Sequence, residues 1–362
     1  MKNTFGSSVS VTVFGESHGP SVGVVIDGLA PGIEVDEAFI AHQLSLRRPA
    51  DALSTGRREP DSFVIESGVY RGKTTGTPIC IRIPNTAQHS EDYADYGKAR
   101  PGHADYTAYA KYHGNEDPRG GGHFSGRITA GLVAAGAIAL TALKAKNIFI
   151  GTHLSRCAQI DDRGFEDYRK DIEILSQKAF PVLSSQGEEA MKQAILAARE
   201  EGDSVGGILE TAVVGLPAGV GEPWFDTVES NLSHLLFSIP AVKGVEFGDG
   251  FALADQKGSC ANDAFRMKGD EIVTETNANG GINGGITNGM PLLFRCAVKP
   301  TPSIFKEQKT VDFIAGTDLD FKLCGRHDPC IAHRARVVVD SVVALGLCDL
   351  LSLRYGTDFL GE

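Results

Sequence analysis

The first apolar signal is an alternation. Val9, Val11 and Val13 are separated by Ser10 and Thr12, the period of a half-buried strand, so a strand is expected over Ser8–Phe14. A polar break, Gly15-Glu16-Ser17-His18-Gly19-Pro20, follows, and a second strand is expected over Val22–Ile26 before the turn Gly28-Leu29-Ala30-Pro31-Gly32. A helix should open near Asp36, where acidic residues favour the positive helix end, and stop before Pro49 with Arg47 and Arg48 last. Two later segments are more extreme. Ile128–Lys144 is apolar around its whole circumference, which predicts burial between sheets; Glu188–Glu201, rich in Glu, Lys and Ala, predicts a solvated surface helix.

This arrangement recurs. Ser21-Val22-Gly23 running to Gly28-Leu29-Ala30-Pro31-Gly32 parallels Ser204-Val205-Gly206 running to Gly215-Leu216-Pro217-Ala218-Gly219. Each leads into an amphipathic helix, Asp36–Leu46 in one case and Phe225–Phe237 in the other. Later in each half a Gly/Arg/His loop feeds an apolar helix: Arg119–Arg127 before Ile128–Lys144, and Gly325–Cys330 before Ala332–Leu353. Two copies in one order predict an α+β fold, a single compact β-α-β sandwich-type domain over residues 1–362. The internal pseudo-twofold duplication of sheet-and-helix units falls at approximately 1–150 and 200–362, with no low-complexity linker between them.

Composition narrows the function. With 35 Lys and Arg against 46 Asp and Glu, the net charge of −11 disfavours nucleic-acid binding, which depends on neutralising phosphates. The greasy stretch Gly131–Leu143 is shorter than the roughly 20 residues a bilayer requires, and the N-terminus lacks the apolar core of a secretory signal, so no membrane partner is expected. Seven scattered cysteines without Cys-x-x-Cys suggest neither a disulfide framework nor a zinc site, and the expected location is cytoplasmic. Glycine, at 43 of 362 residues, is well above the average of about 7%, as expected of loops wrapped around ligands.

Glycine and ionisable residues concentrate together in Gly15–Gly19, Arg100–Asp105, Arg119–Arg127 and Gly325–Cys330, while Asn279–Gly285 is glycine-rich without charge. Glycine bares backbone N–H groups toward an anion, and arginine offers a planar, always-charged fork for carboxylate or phosphate. Arg47, Arg48, Arg119, Arg127 and Arg326 beside such loops therefore suit a polyanionic small ligand, with His18 and His103 as proton donors near neutral pH. The plainer readings are satisfied structural histidines and ordinary surface arginines. Walker A, Gly-x-Gly-x-x-Gly, His-Glu-x-x-His and Gly-x-Ser-x-Gly motifs are absent, which removes nucleoside-triphosphate, Rossmann, zinc-protease and hydrolase-elbow chemistry, and no metal is expected.

Taken together, Phe14–Gly19, Arg57–Asp61, Thr74–Pro78, Arg100–Tyr106, Ala241–Gly248, Lys299–Thr301 and Gly325–Cys330 resemble the chorismate synthase family in order and over nearly the whole chain. The resemblance implies a lyase that removes phosphate from 5-enolpyruvylshikimate 3-phosphate by anti-1,4-elimination, giving chorismate for aromatic amino acid biosynthesis. It implies reduced FMN (FMNH2) as cofactor, lending electron density as phosphate departs and recovering it when the hydrogen leaves, with no net redox change. It further implies His18 as proton donor at the leaving phosphate, His103 beside the flavin ring, and Asp328 as the group that helps remove the hydrogen. Arg47, Arg48, Arg119 and Arg127 would bind substrate; His123, Phe124, Ser125, Ala241, Gly284, Lys299, Pro300, Thr301, Pro302, Ser303 and Arg326 would bind the cofactor.

The resemblance also implies a homotetramer. Whether the chain reduces its own flavin is left open, a separate NADPH-dependent reductase being the alternative source. Asp328 has a second reading, as cap of the helix that begins near Ala332. Departures from the family pattern are His123, Phe124 and Gly126 in place of Arg, Ser and Ala, and Leu53 where many relatives carry a polar residue, a loss that Arg57 or Arg58 is placed to offset. Two rival functions are a flavin-dependent oxidoreductase and a catalytically silent flavin- or anion-binding protein; the second needs only the Arg and Gly residues, not His18, His103 and Asp328.

Overall fold

The N-terminal alternation forms strand β2 (Ser10–Gly15), beside the short β1 (Thr4–Phe5), and it pairs antiparallel with β3 (Ser21–Asp27) in the register Val11↔Ile26 and Val13↔Val24. The computed structural model describes residues 2–49, 53–54, 59–86, 96–322 and 328–361. Helix α1 (Glu37–Arg47) starts where expected, because the Asp36 carboxylate accepts hydrogen bonds from the N–H groups of Ala38 (2.9 Å) and Phe39 (3.1 Å). Next come β4 (Val64–Ser67), the small ribbon of β5 (Val69–Tyr70) and β6 (Lys73–Thr74), and β7 (Ile79–Pro84), whose Ile79, Ile81 and Ile83 all face the core. They complete a five-stranded antiparallel sheet in the order β1-β2-β3-β7-β4. Helix α2 (Asp105–Tyr112) precedes the long apolar helix α3 (Thr129–Ala145).

A second sheet repeats the plan. Strands β8 (Phe149–Cys157) and β9 (Ile160–Asp161) are followed by helices α4 (Tyr168–Gln177) and α5 (Ser185–Glu200), then by β10 (Gly207–Val214), α6 (Val228–Leu236) and β11 (Val242–Phe247). After the short α7 (Gly258–Ala261) come two ribbons, β12 (Phe265–Lys268) with β13 (Glu271–Thr274) and β14 (Ile282–Asn283) with β15 (Ile286–Thr287). Strand β16 (Leu292–Val298), the hairpin of β17 (Gln308–Asp312) and β18 (Thr317–Phe321), and helix α8 (Ala332–Tyr355) end the fold. The sheet order is β11-β16-β10-β8-β9.

The run β2-β3-α1-β4-β7-α3 therefore matches β8-β10-α6-β11-β16-α8 element by element, with the same antiparallel neighbours. The second unit opens with β8, ahead of the boundary near residue 200 that the turn match suggests, so α4 and α5 are an insertion within it. The shared turn has a shared cause. Gly28 and Gly215 have φ of 87° and 88°, and a Cβ at either would lie about 2 Å from a carbonyl oxygen, that of Ser8 or Asn147. One threonine pins each turn: Thr74 Oγ1 donates to Ala30 O and accepts from Ile33 N, and Thr287 Oγ1 donates to Pro217 O and accepts from Val220 N.

Helix α3 packs on β3 and β7, α8 on β8 and β10, and the two helices pack on each other between the sheets. By length and composition the span Gly126–Ala145 is apolar enough to cross a membrane, longer than the stretch counted from sequence, but here it lies in the core with Val133, Ala134 and Ala137 wholly buried. Helix α5 is solvated on one side only; Met191 and Ile195 are fully buried. Helix α6 begins at Val228 rather than Phe225, because Thr227 caps it by accepting from Ser230 N (3.0 Å). Leu53, the departure noted from sequence, is a buried core residue.

On the outer face of the second sheet a buried His153 bonds Asp162 through Nδ1 (3.1 Å) and Glu210 through Nε2 (2.9 Å). Burial pushes the Asp162 carboxyl up, but His153, the Ser184 hydroxyl and the N–H groups of Leu183 and Ser184 outweigh it and bring it down to about 2. A depressed carboxyl stabilises the fold above its ordinary value near 4, and that contribution is lost as pH falls toward 2. We expect Asp162→Asn to cost about 2 kcal/mol at pH 7 and much less at pH 2.5, read from denaturant unfolding at the two pH values.

Candidate functional site

The loop after β2 carries His18, and its shape depends on the loop Arg119–Phe124. Ser17 N–H donates to Gly122 O (3.0 Å), and His123 Nδ1 donates to Gly15 O (2.7 Å). His18 is buried at 4% exposure. Gly120 has φ of 61°, and a Cβ there would meet His18 Cε1 at 2.2 Å, so only glycine leaves room for the ring. Gly120→Ala is expected to displace His18 and lower turnover roughly 10²-fold, the worth of a positioned proton-transfer group, while thermal stability drops modestly. Unchanged turnover would separate the ring's position from activity.

His103 is built by a second loop pair. Its Nε2 shares a hydrogen with Ser303 Oγ (2.7 Å), and Lys299 Nζ donates to Gly102 O (2.7 Å). Lys299 N–H in turn donates to the carbonyl of Ala241, a residue held in the left-handed region at φ 75°. Below the loop the Arg100 fork grips Asp105 at 2.7 and 2.8 Å; burial pushes that carboxyl up, and the Arg100 guanidinium more than offsets it. Thr301 Oγ1 is buried and has no hydrogen-bond partner among the described residues.

Arginines crowd the adjoining cleft, of about 260 Å³. Asp61, buried and in the left-handed region at φ 51°, pairs with Arg47 Nη2 (3.3 Å) and with Arg127 Nη1. Arg127 is clamped at every nitrogen, its Nε donating to Asn85 Oδ1 (2.9 Å) and its Nη2 to Pro84 O (3.2 Å). Arg48 Nη1 donates to Pro60 O (2.9 Å), and Arg334 Nη2 pairs with Asp328. Burial, together with the neighbouring Arg127 and Arg334 charges and against the pull of Asp61, brings Arg47 down to about 10. The Nε groups of Arg47 and Arg334 are buried with no partner among the described residues. Such a cluster is relieved by an anion.

Its larger neighbour, of about 1310 Å³, shares Ser125, Ile239, Pro240 and Asp328 with it, so the two form one continuous cleft. His18, His103 and Asp328 line the cleft together. So do His123, Phe124, Ala241, Lys299, Thr301, Pro302 and Ser303, while Arg47, Arg48 and Arg127 line the narrow end. Other expected residues lie elsewhere. Arg119 does not line the cleft itself but forks a half-exposed side chain onto Asp117, which lines the wider end; Gly284 sits in the β14–β15 turn, and Pro300 packs against Gly206. Arg326, with Arg57 and Arg58, falls outside the described residues.

Asp328 is not a helix cap. The residue before α8 is Ile331, which makes no side-chain cap, and Asp328 is taken up by Arg334 in the first turn of the helix. Sequence reasoning missed Arg334, Asp61 and Asn85. Asp61 stood inside the quoted Arg57–Asp61 run and Arg334 four residues past the Gly325–Cys330 loop, but Asn85, a single polar residue after a strand, carried no signal. Among the described residues no group of His, Cys, Asp or Glu is arranged to hold a metal ion.

An α+β sandwich with two histidines, a carboxylate and an arginine cluster around one cleft defines an enzyme acting on a small anionic molecule. A family model for chorismate synthase matches residues 9–352. The chain is 46% identical over 350 residues to the chorismate synthase of Pyrococcus abyssi, covering 96% of this chain and 97% of that one. It is also 46% identical to that of Methanobrevibacter smithii, with 96% of each chain covered. A crystal structure of chorismate synthase superposes with a TM-score of 0.77 at 27% identity, covering 98% of this chain and 94% of the other. The chain belongs to the chorismate synthase family.

Proposed function

We propose that this enzyme forms chorismate from 5-enolpyruvylshikimate 3-phosphate: the C–O bond to phosphate breaks, a ring hydrogen leaves from the opposite face, and the reaction is that of a lyase. The observation that carries the reading is the convergence of His18, His103, Asp328 and the arginine cluster on one cleft. Two carboxylates and a phosphate need neutralising away from bulk water, and the buried, partly unpartnered guanidiniums of Arg47 and Arg334, with Arg48 and Arg127 beside them, suit that task.

His18 would hold a proton for the departing phosphate, and Asp328, oriented by Arg334, would receive the proton that the ring gives up. Reduced FMN, when bound, supplies electron density that lowers the barrier to breaking a C–H bond that is not acidic. Lys299, Thr301 and Ser303 at the wider end, with an ammonium and hydroxyls of which one is buried and unsatisfied among the described residues, would hold its phosphate, and His123, Phe124, Ser125, Ala241 and Pro302 would wall its ring. His103, fixed by Ser303, would govern protonation at that end. The same reading carries a homotetramer and a cytoplasmic location, with the flavin reduced either by this chain or by a separate NADPH-dependent reductase.

Anaerobic mixing of the protein with chemically reduced FMN and the phosphate ester tests it. One phosphate and one chorismate per substrate, with the flavin still reduced at the end, is the expected result. Stoichiometric flavin oxidation would make the enzyme an oxidoreductase, and no product at all would leave only binding.

A further inference from the structure

Asn85 follows β7 and reaches across to the loop that carries His18. Its side-chain amide is fully used. Nδ2 donates to Glu16 O (3.0 Å) and to Gly19 O (2.8 Å), while Oδ1 accepts from Arg127 Nε (2.9 Å). Its backbone N–H donates to Pro20 O (3.1 Å). Glu16 and Gly19 are the two ends of a tight turn closed by Gly19 N–H to Glu16 O (3.1 Å), with Ser17 and His18 at its centre. One amide therefore holds both ends of the turn that presents His18 and, from its other face, one nitrogen of the buried guanidinium at the narrow end of the cleft. The partners also fix which end of the amide is which, since two carbonyls need donors and the guanidinium needs an acceptor.

We infer that Asn85 is a positioning residue that locks the His18 turn to Arg127, so that the proton donor and the anion-binding arginine keep a fixed separation during turnover. The inference rests on the proposed role of His18. Only asparagine meets the requirement: aspartate keeps the acceptor for Arg127 but sets a carboxylate against two carbonyl oxygens, and leucine has the bulk but bonds neither side. The effect should fall on kcat more than on KM, because Arg127 keeps its bonds to Asp61 and Pro84 when Asn85 changes.

A double-mutant cycle with His18→Ala tests this under saturating reduced FMN. Asn85→Asp is expected to lower kcat roughly 10- to 100-fold with KM within about threefold, and to cost less than about threefold when His18 is already alanine. Equal cost in both backgrounds would show a merely structural role and overturn the inference, as would unchanged kcat. In the substrate-free protein the His18 ring resonance should move in Asn85→Asp while that of the distant His153 stays; an unmoved His18 signal also overturns it. If Asn85→Asp does not fold, Asn85→Ser is read by the same criteria. Should the wild type form no chorismate, the functional reading falls and the ring resonance alone decides whether Asn85 holds the turn.

Discussion

His18→Ala is expected to lower turnover by roughly 10² to 10⁴ while leaving the protein folded, because a positioned proton donor contributes about that much. The ring is buried and lines the cleft, and it packs against a glycine rather than supporting a wall of the core. Its removal therefore leaves a gap beside Gly120 and little strain. His103→Ala should fall in the same range, whereas Ser303→Ala, which keeps the imidazole and removes its hydrogen bond together with one hydroxyl of the wider end, should cost less at saturating reduced FMN. Steady-state turnover with circular dichroism at matched temperature separates these outcomes from unfolding. Near-full activity in either histidine variant would remove its assigned role.

Arg127→Gln should damage both activity and stability. The guanidinium is held by Asp61, Asn85 and Pro84 and is almost fully buried. Removing it leaves Asp61 with Arg47 as its one cationic partner among the described residues, and breaking a buried pair from one side costs about 3 to 5 kcal/mol. The retained Arg47 contact places the expected loss near the lower end, about 3 kcal/mol, with kcat/KM down roughly 10³-fold because an anion-binding charge and the anchor of the His18 turn go together. The compensating variant is informative. Asp61→Asn combined with Arg127→Gln should recover only part of the stability, since the carboxylate that Arg127 neutralised is gone as well but Arg47 then loses its own partner, and none of the activity. Chemical denaturation of the single and double variants measures the first; kinetics measures the second.

Much of this architecture was legible before the structure because its causes are local. Alternating valines at 9, 11 and 13, the acidic cap at Asp36 and the all-apolar run after Ile128 each specify an element by their own pattern. The duplication was legible through its turns, since Gly28 and Gly215 are demanded by the same left-handed backbone and the same close carbonyl. What pins those turns, Thr74 and Thr287, lies some forty and seventy residues away, and pairings of that separation leave no periodicity to read. The start of the second unit was displaced for a similar reason: two inserted helices separate β8 from β10, so the matching turn lies well past the strand that opens the unit.

The site divided along the same line. Histidines and arginines in glycine-rich loops advertised themselves, and His18, His103, Arg47, Arg48 and Arg127 reach one cleft. Arg119, equally conspicuous, is taken up by Asp117 two residues before it, itself a residue of the cleft wall, a competition that composition does not weigh. Asp61 and Asn85 act from behind, through other side chains, and such residues are defined by their partners rather than by their neighbours in sequence.

The most direct measurement is a crystal structure of the protein with FMN and 5-enolpyruvylshikimate 3-phosphate bound. The account predicts both molecules stacked in the one cleft, the ester's anionic groups against Arg47, Arg48 and Arg334, its phosphate within hydrogen-bond reach of His18, and Asp328 facing the ring carbon that loses hydrogen. A ligand bound with His18 and Asp328 on unconnected surfaces, or with the arginines contacting only solvent, would contradict it.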